Sequence, residues 1–288
     1  MDSIANLKAF TQNTLGPFVL QLGLTKLPEH LYTFIVSFCF FLAVHRTFAP
    51  LVSEWCSESF RRMGKKGQNN WSMHVVSQVH ALVIVPLAFL ALDSQELDRD
   101  RAFGWDERIS GKLQAIASAY FVWDTYDAIV NYTDFGFIIH GAACSMIYLL
   151  SFSPFLSYYT ARGLLWETST IFLNIHWFLH KTNRAGSTFR LINGIFLLST
   201  FLGFRLIYGA YVSYDLFGTL YNVRDKIPTA YLYVYGLGNI VLQTLNVVWF
   251  YKLTILLRKR FLKKPAVNGN GNGKHGNGNQ ETLDPKKR

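Results

Sequence analysis

The chain has 288 residues, 50% of them hydrophobic and only 16% charged; a soluble domain carries about 25% charged residues, so the composition excludes an ordinary soluble globular protein and points to a membrane. The net charge of +10 resides in clusters that flank apolar runs, which excludes a nucleic-acid-binding role. The three cysteines, Cys39, Cys56 and Cys144, form no CxxC and no pairing pattern, so neither a disulfide framework nor a metal site is expected.

A bilayer-spanning helix needs about 20 mostly apolar residues. Residues 1–30 are mixed, contain Pro17 and Pro28, and are expected to form a short interfacial helix in an N-terminal lumenal segment. They lack the basic-then-apolar order of a cleaved signal peptide. A transmembrane helix at about 31–49 and a basic loop complete residues 31–64. Six further spans follow at about 71–92, 112–131, 135–152, 158–179, 189–212 and 230–257. The expected fold is all-α, a multi-pass membrane protein with about seven transmembrane helices. The Gly/Asn-rich residues 261–288 cannot bury a core and are expected to form a disordered cytosolic tail.

Lys and Arg favour cytoplasmic loops. The first loop has Arg61, Arg62, Lys65 and Lys66, the fifth has Lys181, Arg184 and Arg190 at its edges, and the tail opens with Arg258, Lys259 and Arg260. The second loop, DSQELDRDRAFGWDER, is net acidic. Seven spans put the three basic clusters on one side, with the N-terminus lumenal and the C-terminus cytosolic. Asn70-Trp-Ser and Asn131-Tyr-Thr then lie on the cytosolic side at the membrane, so neither is expected to be glycosylated.

Ionisable residues within spans usually face the protein interior. In the third span Tyr120, Asp124, Asp127 and Asn131 are spaced i, i+4, i+7, i+11 and share one helix face. His140 and Cys144 lie one turn apart in the fourth. Glu167, Thr170 and Asn174 share a face in the fifth, Asn239, Gln243 and Asn246 in the seventh, and His74, Ser77 and Gln78 in the second, with His80 offset. Five such stripes imply a bundle with a polar interior. Asp134 is expected to cap the fourth span and Glu167 to pair with Arg205. Lone histidines such as His74, His80 and His176 more often hydrogen-bond neighbouring helices than catalyse. Asp124 and Asp127 differ, because two carboxylates on one face could orient the imidazole of His140.

Three segments taken in order, WSMHVVSQVHALVIV, SAYFVWDTYDAIVNYTDFGFIIHG and WETSTIFLNIHWFL, resemble the TLC-domain family (TRAM, Lag1 and CLN8 homology) over about residues 65–260. The resemblance implies a six-helix membrane barrel, preceded here by one extra helix, in the endoplasmic reticulum. Ceramide synthases of this family join an acyl group from acyl-CoA to a sphingoid base amine. Their signature is an adjacent His-His, with a pair of aspartates before the Glu of a later helix. Here IIHGAAC aligns with IIHHxxT, so His140 matches the first histidine and Gly141 replaces the second. LSYYTARGLLWE has no aspartate before Glu167, and Thr160 and Gly163 fall at about those positions. The chain thus looks more like the non-synthase members, several of which are linked to lipid composition or trafficking.

Three functional expectations follow. The first is a lipid-binding protein of the endoplasmic reticulum that contributes to membrane lipid homeostasis, with Asn131, Glu167, Asn174, His74, Gln78, His80, Asn239 and Gln243 as lipid-binding residues and no cofactor. The second is a ceramide-synthase-like acyltransferase with acyl-CoA as co-substrate, an amine or lysolipid acceptor, and His140, Asp127 and Asp124 as catalytic residues. The third is a secretory-pathway cargo or scaffold protein whose basic tail, ending PKKR, carries the signal. Membrane lipid is the expected partner, and a homo-oligomer is compatible with each reading.

Overall fold

The computed structural model describes residues 2–262 apart from Thr133 and Ala185, so the disorder expected of the tail lies outside the described residues. All regular structure among them is helical. Eight principal helices follow in order: α1 (Asp2–Gln21), α2 (Leu27–Cys56), α3 (Lys65–Ala91), α4 (Ser110–Val130), α5 (Phe135–Leu150), α6 (157–181), α7 (Thr188–Lys226) and α8 (Thr229–Leu262). Each of the seven expected spans falls on one of α2–α8. α2, α3, α7 and α8 are long and apolar enough to cross a membrane, and α5 is apolar but shorter. α4 and the first half of α6 carry more polar residues, and both are largely buried by their neighbours.

The helices α3, α4, α5, α8, α7 and α6 pack side by side in that spatial order, and α6 returns to α3. This closed ring is the six-helix barrel. α2 packs outside it, against α3 and α4, and α1 packs against α2. The short interfacial helix expected within residues 1–30 is instead 20 residues long. Its inner anchor is apolar, with Val19, Leu24 and Leu27 clustered on Ala115 and Phe152.

Aromatic contacts fix which helix ends meet. Trp71 at the start of α3 packs on Trp177 and Phe178 near the end of α6. His45 in α2 faces Asp127 near the end of α4. Trp249 of α8 packs on Phe137 and His140 at the start of α5. The loops after α2 and α6 therefore lie at one end of the barrel with the C-terminal part of α8, and this is the basic end. Asp134 caps α5 there, accepting the Gly136 N–H at 2.7 Å.

At the opposite end the loop between α3 and α4 is stapled by Asp106, which accepts from the Ser94 hydroxyl at 2.7 Å and the Arg108 N–H at 2.9 Å. Burial pushes the Asp106 carboxyl up, but these hydrogen bonds outweigh it and hold the group below the usual carboxylate value. Beside it, Arg101 Nη1 donates to both carboxylate oxygens of Asp215 of α7, at 2.7 and 2.9 Å. Tyr159 donates to the same carboxylate at 2.8 Å, so loop, α6 and α7 are clasped together.

Three departures from regular helix matter for the interior. α6 is entered through Leu156, a fully buried non-glycine residue at φ +57°, in the left-handed region such residues rarely adopt. A 3-10 turn, Leu164–Glu167, then interrupts α6. π-helical stretches run over Val44–Phe48 in α2 and Phe201–Tyr208 in α7. Such stretches inside α-helices recur at functional positions because they turn side chains off the regular face.

Candidate functional site in the barrel interior

The interior is organised around Arg205. The π-helical stretch of α7 aims its guanidinium at the place where the 3-10 turn of α6 gives way to α-helix. There the Trp166 carbonyl accepts from Arg205 Nε at 3.0 Å and from the Ser169 hydroxyl at 3.1 Å. Nε also reaches Ser169 Oγ at 2.8 Å, Nη1 reaches Asn246 Oδ1 at 3.2 Å, and Nη2 reaches Thr170 Oγ1 at 3.0 Å and Glu167 Oε1 at 3.2 Å. The Glu167–Arg205 pair expected from the sequence is therefore present. Both partners are buried, at 7% and 5% exposure. A buried ion pair holds only if further hydrogen bonds satisfy it, and here α6 and α8 supply them.

Beside this network lies a cavity of about 60 Å³. Its polar lining includes His140, Cys144, Glu167, Thr160 and Asn239, and its apolar wall includes Phe121, Leu164, Leu216 and Leu242. A water molecule needs about 10–15 Å³ by the same measure, so the space takes a few small groups and no acyl chain in this conformation. Cys144 Sγ lies 3.8 Å from His140 Nε2 and 4.0 Å from Nδ1. Trp249 and Phe121 bracket the His140 ring edge-on.

The two aspartates do not join His140. Asp127 lies 3.7 Å from His45 Nε2 and accepts from Asn131 Nδ2 at 2.7 Å. The expectation that Asp127 orients His140 is thus not met, because the π-helical turn in α2 brings a closer imidazole. Asp124 has no hydrogen bond or ion pair among the described residues. Asp124, Asp127 and Asn131 line a separate cavity of about 40 Å³, with Lys66 and Asn69.

The remaining candidates divide among helix contacts. His74 Nδ1 pairs with Asn174 Oδ1 at 2.8 Å, Asn174 Nδ2 donates to Ser77 Oγ at 3.2 Å, and His74 stacks on Trp177 at 4.1 Å. This group fastens α3 to α6. His80 is fully buried and stacks on Tyr120 at 3.6 Å, and among the described residues neither ring nitrogen has a hydrogen-bond partner. Gln243 Nε2 donates to Ser213 Oγ at 3.0 Å, tying α8 to α7. The buried Gln78 side-chain oxygen has no partner among the described residues. Of the candidates, only His140, Glu167 and Asn239 share the central cavity.

Sequence reading missed His45, Arg46 and Tyr159, and noted Thr160 only as a position where the family signature carries an aspartate. The signal for the first two was a His-Arg pair inside the apolar run FLAVHRTFAPL. The replacement of the second histidine by Gly141 has a packing reason. A Cβ there would stand 2.7 Å from Thr125 Oγ1 and 3.1 Å from Thr125 Cα, so α4 and α5 touch where that side chain would leave the helix.

The TLC domain profile matches residues 70–255, which begins within α3 and covers the barrel. An uncharacterised TLC domain-containing protein of Schizosaccharomyces pombe is 36% identical over 246 residues, 85% of this chain and 84% of that protein. Topoisomerase I damage affected protein 4 of Saccharomyces cerevisiae is 27% identical over 249 residues, 82% of this chain and 87% of its own length. Human TLC domain-containing protein 4 is 27% identical over 241 residues, 77% and 90% of the two chains. These are non-ceramide-synthase members. With its barrel of six helices, its single histidine at the start of α5 and these relatives, the chain belongs to the TLC-domain family of multi-pass membrane proteins.

Proposed function

We propose that this protein resides in the endoplasmic reticulum, binds a lipid within its barrel and so contributes to membrane lipid homeostasis. The observation that carries the reading is the mixed lining of the central cavity: Glu167, held by Arg205, together with His140, Thr160 and Asn239 among apolar side chains. A polar head group would sit against Glu167, Asn239 and Thr160. Its chain would follow the apolar wall once the helices part, since the space seen here is too small for both. The test is lipid mass spectrometry on the purified protein. One enriched lipid class, lost in Glu167→Gln, supports the reading, and bulk membrane lipid in both proteins counts against it.

A second reading is acyl transfer from acyl-CoA, favoured by the cavity position of His140 beside Cys144. His140 would act as base or transient acyl acceptor. Against it stand the engagement of Asp127 by His45 and the absence of room at Gly141. Labelled acyl-CoA offered with sphingoid bases and lysolipids would give turnover that disappears in His140→Ala.

A further inference from the structure

A larger cavity lies outside the barrel, at its basic end, between the π-helical stretch of α2 and the first turns of α3. Its volume is about 370 Å³. We propose that it binds the phosphodiester of a membrane lipid whose head group is uncharged and hydroxylated.

The argument starts from the helix. The π-helical turn Val44–Phe48 sends two consecutive residues to different tasks. His45 turns inward to Asp127 and forms part of the cavity floor, while Arg46 remains exposed at its mouth. Lys65 faces Arg46 from the first turn of α3. Among the described residues neither Arg46 nor Lys65 has an ion pair. The neighbouring arginines are engaged: Arg61 donates to the Glu54 carbonyl at 2.6 Å, and Arg62 pairs with Glu58. One carboxylate, Glu54, also lines the cavity. Two free cations against one carboxylate leave a single positive charge, which matches one phosphodiester. Glu54 and Asn69 would accept from and donate to head-group hydroxyls.

The rim says that the phosphate belongs to a lipid. Phe48, Leu51, Val52 and Trp55 on the same helix are 57–87% exposed, and Leu51 also lines the cavity. Exposed apolar residues ending in a tryptophan mark the level where a membrane meets water. Acyl chains would lie along them while the phosphate enters between Arg46 and Lys65. This site is separate from the central cavity and does not depend on what that cavity holds.

The experiment is native mass spectrometry of the full chain in detergent with added phosphatidylglycerol, phosphatidylcholine or diacylglycerol. Phosphatidylglycerol is expected to be retained preferentially, and loss of each charge-assisted contact in Arg46→Gln and Lys65→Gln should weaken retention by about tenfold. Both side chains are exposed, and should the double variant fail to fold, Lys65→Gln alone carries the test. Arg61→Gln with Arg62→Gln removes the same charge from the adjoining loop but not from the cavity. Unchanged retention in that control supports the site, and an equal loss means general attraction to a basic surface and overturns it. Glu167→Gln should retain phosphatidylglycerol, which separates this site from the central one. Displacement of the lipid by equimolar glycerol phosphate or inorganic phosphate would make the ligand a soluble phosphate and overturn the lipid assignment.

Discussion

At residue 141 a missing side chain sets how closely two helices of the barrel approach. Gly141 lets α4 and α5 touch at Thr125, so Gly141→Ala should destabilise the protein by about 1–3 kcal/mol through overpacking, read as a lower unfolding temperature. Gly141→His should cost more and fail to create a histidine pair. At the other end Asp106 is a staple with a defined pH response. Its folded value lies below the ordinary carboxylate value, so its contribution is present above about pH 4 and is lost as pH falls through the folded value. Asp106→Ala strands the Ser94 hydroxyl and the Arg108 N–H, and should cost about 1–3 kcal/mol at pH 7. The gap between variant and wild type should close in acid; a gap that persists there would contradict the assignment.

Among the elements, the irregular helices carry the interior. The π-helical stretch of α7 and the 3-10 turn of α6 meet where the Arg205 guanidinium donates to the Trp166 carbonyl. Arg205→Ala leaves Glu167 buried without its partner and should cost about 3–5 kcal/mol. Arg205→Met combined with Glu167→Leu should recover much of that in a double-mutant cycle; additive losses would show that the two do not act as a pair. These irregular stretches also explain what could be read from the sequence. A spacing rule of 3.6 residues found the stripes of α4 and α8, where the helix is regular; residue type before a helix gave the Asp134 cap, and the need to neutralise buried charge gave the Glu167–Arg205 pair, although both partners lie on irregular turns. It could not see that five π-helical residues turn His45 toward Asp127, and so it gave Asp127 to His140. Nor could it divide the stripes: His74 and Asn174 satisfy each other across α3 and α6, and His80 packs as an aromatic ring on Tyr120.

For the whole molecule, the apolar runs and loop charges were enough for the helix count, and the ordered motifs for the barrel. Which helices adjoin was not legible, since α8 closes the ring between α5 and α7 although α6 follows α5 in sequence. The end-to-end division of charge makes orientation testable. A glycosylation acceptor inserted in the loop between α3 and α4 should be modified in microsomes, and one between α6 and α7 should not; the reverse pattern would invert the proposed topology. The central claim is that the barrel interior holds a lipid. Its most direct test is quantitative lipid mass spectrometry of the wild-type protein beside Glu167→Gln, both purified from the same membranes. One lipid class enriched in the wild type and depleted in the variant is the predicted result, and identical bulk-membrane profiles in the two would contradict it.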